Sequence, residues 1–171
     1  NIDGTATRYT GRRELCERAL CYTSQTLPQD LEVTGHPLIS LFLSSSAEDG
    51  FVIAYLDDIP PDGEPRYVTE GELRIAHRAL SDEEPPYRQQ APYRSFQRKD
   101  ATLLPANTVT ELRFDLLPTS YLFKKGPRIR LIIVGSDADI FPTMPKQSSE
   151  LSIYRDRNRL TRVELPVVVR E

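Results

Sequence analysis

The side chains able to do acid-base or covalent chemistry in this sequence are few and badly arranged for it. His36 lies between Gly35 and Pro37, in a turn, and His77 lies on an extended run beside Ile75. No serine is bracketed by glycines as in the strained elbow that presents the nucleophile of α/β-hydrolases, and no glycine-rich loop is shaped to cradle a phosphate. A histidine with no serine or cysteine to deprotonate is a structural residue, so no catalytic residue is assigned. Carboxylates come in two pairs, Asp57 with Asp58 and Asp137 with Asp139. Such pairs hold calcium at a loop edge or cap turns; neighbours on a strand point to opposite faces, and turn-capping is expected of both pairs. Cys16 and Cys21 read as residues of one strand, where their odd spacing sends them to opposite faces, so free thiols are expected. These cysteines and two scattered histidines make no zinc ligand set, and neither metal nor cofactor is expected. Tyr121 and Phe123 offer an aromatic platform for a sugar or substrate, or two side chains for the core, which is the commoner use of such a pair.

The elements that would position these residues are strands. The stretch 109–134, VTELRFDLLPTSYLFKKGPRIRLIIV, is the centre of the pattern. Leu112, Phe114 and Leu116 alternate with Glu111, Arg113 and Asp115, the period of a strand with one wet face. Pro118 ends that run. Residues 119–123 then read as a tight aromatic connection, and the turn Lys124-Lys125-Gly126-Pro127 launches a second strand on which Ile129, Leu131 and Ile133 alternate with Arg128, Arg130 and Ile132. The two are expected to lie together as a central hairpin, with Phe114 and Leu131 on facing inner sides. Residues 38–44 and 51–56 are apolar on both faces and fit interior strands. Residues 20–23, 31–34, 67–68, 73–77, 151–154 and 162–168 supply further extended runs, with the apolar end at Val167-Val168-Val169 docked into a sheet. Residues 11–17 read as charged and irregular, and no segment repeats apolar residues at helical spacing with a cap and a stop.

At 171 residues with 39% hydrophobic content the chain has the size of one domain with its own core. Its formal net charge of -3 argues against nucleic acid or an anionic membrane as partner, since both require a basic field. No apolar run approaches the roughly 20 residues that span a bilayer. The compartment stays open, with a lean towards a reducing cytoplasm because nothing in the sequence demands oxidation. The chain begins at Asn1 without methionine, which fits a fragment or a processed product.

Residues 81–105 have a different texture, and their part 84–96 is the candidate docking surface. Pro85, Pro86, Pro92 and Pro105 are set among Tyr87, Arg88, Gln89, Tyr93 and Arg94, so the segment cannot pair its backbone in a central sheet. It is also too aromatic for a disordered linker. Tyr87, Tyr93 and Phe96 interleaved with arginines have the composition of an interface centre, and the prolines lower the entropic cost of docking. The alternative is a plain surface crossover. An uncovered patch here would also leave room for a homo-oligomer.

Some eight or nine strands with long connections, and no tryptophan or cysteine pattern of an immunoglobulin domain, predict an all-β fold, a two-sheet jelly-roll sandwich. In order along the chain, Val33-Thr34-Gly35, Asp49-Gly50-Phe51, Leu56-Asp57-Asp58-Ile59, Asp62-Gly63 and Glu70-Gly71-Glu72-Leu73-Arg74 are followed by Leu116-Leu117-Pro118-Thr119-Ser120, Phe123, Gly126, Arg128-Ile129-Arg130-Leu131, Ser136-Asp137 and Leu165-Pro166-Val167. This series resembles the C-terminal domain of the X-Pro dipeptidyl-peptidase and cocaine-esterase hydrolases, from about residue 19 onward. Two positions depart from the family pattern: Pro127 stands where histidine often follows the turn glycine, and Arg155 interrupts a common Ile-Tyr-His-Asp run. The resemblance implies a galactose-binding-like accessory domain over 19–171, with 1–18 as a segment following an absent α/β-hydrolase domain that holds the Ser-His-Asp triad. That catalytic domain would be the partner, this chain would wall part of the substrate pocket through residues such as Tyr87, Tyr93, Phe96, Tyr121 and Phe123, and the chain alone would be non-catalytic. A free-standing carbohydrate-binding module and a purely structural or oligomerisation domain are the competing readings.

Overall fold

The computed structural model describes residues 11–169 except 62, 89, 90, 139, 142, 143 and 145–147. Asp62, Gln89 and Asp139, the last being half of the second carboxylate pair, lie outside the described residues. The chain forms α1 (Arg12–Glu17), β1 (Leu20–Thr23), β2 (Leu31–Gly35), β3 (Leu38–Ser45), β4 (Phe51–Ile59), β5 (Arg66–Arg74), β6 (Thr110–Asp115), β7 (Thr119–Phe123), β8 (Arg128–Val134), β9 (Leu151–Tyr154) and β10 (Arg162–Glu164), with short 3₁₀ turns at Ile75–His77 and Arg98–Asp100. Every strand pairing is antiparallel. One sheet has the order β1-β8-β4-β5. In the second, β3 pairs with β6 along one edge and with β10 and then β9 along the other. A small third sheet joins β2 and β7.

The main core lies between the first two sheets. The alternation in β4 and β8 turns Val52, Ala54, Leu56, Ile129, Leu131 and Ile133 inward, against Ile39, Leu41 and Leu43 of β3 and Leu112 and Phe114 of β6. The strands expected to be apolar on both faces need cover on both, and β4 has it. Its outer residues Ile53 and Tyr55, with Ile132 and Val134 of β8, form a second cluster packed by Leu15, Cys16, Ala19 and Cys21 at the amino-terminal end of the described chain.

Several expectations need correction. Residues 11–17 are not irregular: six of them form α1, whose Leu15 lies on the sheet. Cys16 and Cys21 are not free thiols on one strand but a disulfide between α1 and β1, with Cα atoms 5.8 Å apart. The chain reverses between helix and strand, so the spacing rule for a single strand does not apply. The ground for a lean towards a reducing compartment goes with the free thiols. The central hairpin is absent, because β6 and β8 belong to different sheets and the aromatic connection between them is itself the strand β7, paired residue by residue with β2. Phe114 and Leu131 therefore face each other across the sandwich rather than along one sheet. The extended run at 73–77 ends at Arg74, after which Ile75 and His77 turn in 3₁₀ geometry. Pro166 to Val168 leave β10 and run along β2, where Thr34 N donates to the Pro166 carbonyl at 3.0 Å and Val168 N to that of Glu32 at 2.9 Å.

One long side of the sandwich is sealed. Leu117 N donates to the Glu70 carbonyl at 2.7 Å, and the Thr69 hydroxyl donates to the Leu117 carbonyl at 2.7 Å, tying β5 to the end of β6. The backbones meet so closely that a Cβ on Gly71 would lie 2.4 Å from the Asp115 carbonyl oxygen. Only glycine fits there.

Phe114 is 2% exposed, whereas the Arg113 side chain points to solvent. Phe114→Ala is expected to cost about 3 to 5 kcal/mol through lost transfer energy and a cavity, against a total of roughly 5 to 15 for a domain. Arg113→Ala is expected to leave the urea midpoint nearly unchanged. Equal shifts in the two midpoints would mean the register of β6 is wrong by one residue.

Candidate functional site

Two features of this chain are built beyond what packing alone requires: a buried charge cluster on the outer face of the β1-β8-β4-β5 sheet, and the docking of residues 84–96. In the first, Asp57 is completely buried. Strand alternation sends it to the outer face beside Arg130 of β8, its register partner. Arg130 Nη2 donates to Asp57 Oδ2 at 3.0 Å, and Arg12 of α1 donates from Nη2 to Oδ1 at 2.6 Å and from Nε to both oxygens at 3.2 and 3.3 Å. Arg130 Nη2 also donates to the Arg12 carbonyl at 3.1 Å, and the Arg12 guanidinium lies over the Tyr55 ring at 4.6 Å. Two cations thus hold one carboxylate, and the helix is anchored by charge as well as by its apolar face.

The neighbouring carboxylates are engaged in the same manner. Asp58 points the other way, where its Oδ2 accepts from the Tyr121 hydroxyl at 2.8 Å and Arg66 comes within 4.0 Å. Asp137 accepts from the Tyr55 hydroxyl at 2.7 Å. Burial, then the carboxylate beside it, pushes the Tyr55 phenol well above its ordinary value, and the Tyr121 phenol is raised for the same two reasons. The turn-capping expected of Asp57 and Asp58 is not what they do: both sit within β4 and bind side chains across the fold. Among the described residues no group of His, Cys, Asp or Glu is placed to hold a metal ion. His36 Nδ1 lies 3.1 Å from both Asp115 Oδ2 and the Leu116 carbonyl, a brace between β2 and β6.

The described residues of 84–96 form no strand, and Arg94 fastens them to the edge of β6. Arg94 is buried, and its guanidinium donates to the carbonyl oxygens of Arg78, at 3.3 Å, and Arg113. Ser81 N donates to the Tyr93 carbonyl at 2.9 Å. Around these anchors the aromatic residues diverge. Tyr93 is half-buried, whereas Tyr87 and Phe96 are 63% and 61% exposed. Phe96 has φ 53°, a left-handed conformation that is strained for an aromatic residue, and its ring lies 5.8 Å from that of His77. Phe96, His77 and Leu80 line a groove of about 440 Å³. Tyr121 and Phe123 do not join this surface. Phe123 is fully buried and Tyr121 packs beside it, ring centroids 4.8 Å apart, over the core. The sequence signalled the aromatic excursion but not the Arg12–Asp57–Arg130 cluster, since its members are 45 and 73 residues apart along the chain.

A family model described as the X-Pro dipeptidyl-peptidase C-terminal non-catalytic domain matches residues 4–161. A candidate serine esterase of Mycobacterium bovis is 46% identical over 160 residues, covering 94% of this chain and 26% of that protein. The cocaine esterase of a Rhodococcus species is 31% identical over 130 residues, covering 76% of this chain and 19% of that protein. The chain therefore spans about a quarter or less of the length of these relatives. A solved CocE/NonD family hydrolase from Staphylococcus aureus superposes with a TM-score of 0.72 at 20% identity, over 88% of this chain and 30% of that one, which shows the same fold.

Removing one partner of a buried ion pair typically costs about 3 to 5 kcal/mol because the other charge is left unpaired. Asp57→Asn is expected to fall in that range, while the triple replacement Arg12→Met, Asp57→Leu, Arg130→Met is expected to lose less than the single one. Denaturant unfolding of the wild type and these two variants would check this, and a loss in the triple variant as large as or larger than that in Asp57→Asn would contradict the coupling. Asp49 supplies a pH test. Burial works against its charge, but hydrogen bonds from Arg74, Gly50 N and Ala76 N outweigh it and hold the carboxyl below its ordinary 3.8. A lowered folded-state value stabilises the fold above the unfolded value and ceases to do so as pH falls through the folded one. The stability difference between the wild type and Asp49→Asn should therefore be full at pH 7 and shrink below pH ~4; a difference independent of pH would contradict the assignment.

Proposed function

Since this chain belongs to the X-Pro dipeptidyl-peptidase C-terminal non-catalytic domain family, we propose that it is the accessory domain of a serine hydrolase, packed on an α/β-hydrolase catalytic domain carried elsewhere in the same protein. The observation that carries the docking mode is Phe96. An aromatic ring that is 61% exposed gains nothing from solvent, and a left-handed φ of 53° costs about 1 to 3 kcal/mol, yet buried Arg94 next to it holds the backbone in place. Both costs are offset if a second surface covers the ring. The residues that contact the catalytic domain are then Tyr87, Phe96 and Leu80, with Arg94 as the positioning residue behind them. Residues 1–18 would lead in from that domain and 19–171 would form the accessory unit. Its role in the reaction is shape: a rigid wall beside the pocket in which the catalytic serine and histidine act.

Hydrogen exchange on the full-length protein and on residues 1–171 alone checks this reading. Residues 84–96 are expected to be more protected in the full-length protein, and Phe96→Ala is expected to abolish the difference and raise KM for an acyl ester more than it lowers kcat. Equal protection in both chains would show that the excursion belongs wholly to its own sandwich.

A further inference from the structure

The long side of the sandwich opposite the β5–β6 seal is open. There the edge of one sheet is β1 and the edge of the other is β10, and among the described residues no backbone hydrogen bond joins them. The gap between these edges is a cleft of about 340 Å³ that reaches the core. Its floor is Ile129 and Leu131, and its walls are Tyr22 on β1 and Val163 and Leu165 at β10. Ile129 and Leu131 keep 8% and 7% of their surface exposed although they are inward residues of a central strand, whereas Leu41 and Leu112 in the opposite sheet are at 0%. The cleft therefore opens the core itself and is no dimple on the surface.

Its mouth carries a charge. Arg155, from the connection between β9 and β10, places its guanidinium over the Tyr22 ring at 5.0 Å, across the gap between the sheets. Among the described residues it has no carboxylate partner, whereas its neighbour Arg162 is neutralised by Glu164 at 2.9 Å and Arg159 by Asp156 at 3.2 Å. The polar side chains deeper in are already used. Ser24 Oγ accepts from Ile129 N, and the Thr161 hydroxyl donates to the Tyr154 carbonyl. An apolar slot with one unpaired planar cation at its entrance matches a ligand with a carboxylate at one end and a hydrocarbon body at the other.

We propose that this cleft is a binding site for a small amphipathic carboxylate. The guanidinium of Arg155 takes the carboxylate in a two-point hydrogen bond and swings only slightly from Tyr22 to do so, since an exposed cation–π contact is weak. The hydrocarbon lies on Ile129, Leu131, Val163 and Leu165. At the ~30 Å³ that a water occupies in the liquid, the volume holds about eleven non-hydrogen atoms, which suits an eight-carbon acid. This site is separate from the docking surface around Phe96, so each reading stands or falls alone.

Methyl NMR of the full-length protein titrated with octanoate and with 1-octanol tests the proposal. Octanoate is expected to shift the methyl signals of Ile129, Leu131, Val163 and Leu165 saturably, and 1-octanol to bind at least about tenfold more weakly for want of the charged hydrogen bonds. Arg155→Gln, at an exposed position that leaves the fold alone, is expected to erase that preference, and Val163→Phe to block both ligands. The proposal is overturned if those signals do not move, if 1-octanol binds as tightly as octanoate, or if the preference survives Arg155→Gln. Should Val163→Phe unfold the protein, the Arg155→Gln comparison still decides.

Discussion

A carboxylate with no exposed surface sits near the end of β4, the strand that both sheet neighbours and both faces of the structure use. Burying Asp57 is costly in itself, and its presence obliges the rest of the fold to bring cations to it. Arg130 comes from the adjacent strand by register alone. Arg12 comes only because α1 folds back across the sheet, where the disulfide from Cys16 to Cys21 ties the helix to the edge strand β1. The same movement lays Leu15 and Cys16 over the cluster of Ile53, Tyr55, Ile132 and Val134, so one six-residue helix contributes both a charge partner and part of the apolar cover. A helix that short has little stability of its own, and its packing has to hold it.

The two long sides of the sandwich are finished differently, and this asymmetry shapes what each can do. On one side Gly71 lets β5 approach β6 until backbone hydrogen bonds close the gap. On the other, among the described residues no backbone hydrogen bond joins β1 to β10, and the core is reached through the space between them. At the exposed edge of β6, Arg94 of the 84–96 segment satisfies a backbone carbonyl that would otherwise be an open ladder position. The prolines that exclude this segment from a sheet are thus compatible with its guarding one.

The surface that remains is instructive because its strain is local. Phe96 holds a conformation disfavoured for its side chain, and the residues that hold it, Arg94 and the Ser95–Asp100 hydrogen bond, have conventional partners. Strain maintained by a rigid neighbourhood points to a use outside that neighbourhood. In the arrangement proposed above, that use is contact with a catalytic domain such as the several-times-longer relatives have room for.

The all-β class, the inward faces of β6 and β8, and the ordered motifs that mark the family were all legible in the sequence, because alternation with period two and turn residues are local properties of the chain. The aromatic excursion was legible by composition, though not which of its rings would face outward. What the sequence left open was set by distance along the chain. That 119–123 is a strand depends on β2, some 90 residues earlier, offering its edge. That Asp57 and Asp58 are buried partners of arginine and tyrosine, and not turn caps, depends on residues that meet only when both faces of β4 are covered. That Cys16 and Cys21 pair depends on a helix too short to show an amphipathic period. Periodicity reports which way a side chain points relative to its own strand; which partner stands on that side is a property of the assembled sheets, and only the tertiary structure decides it.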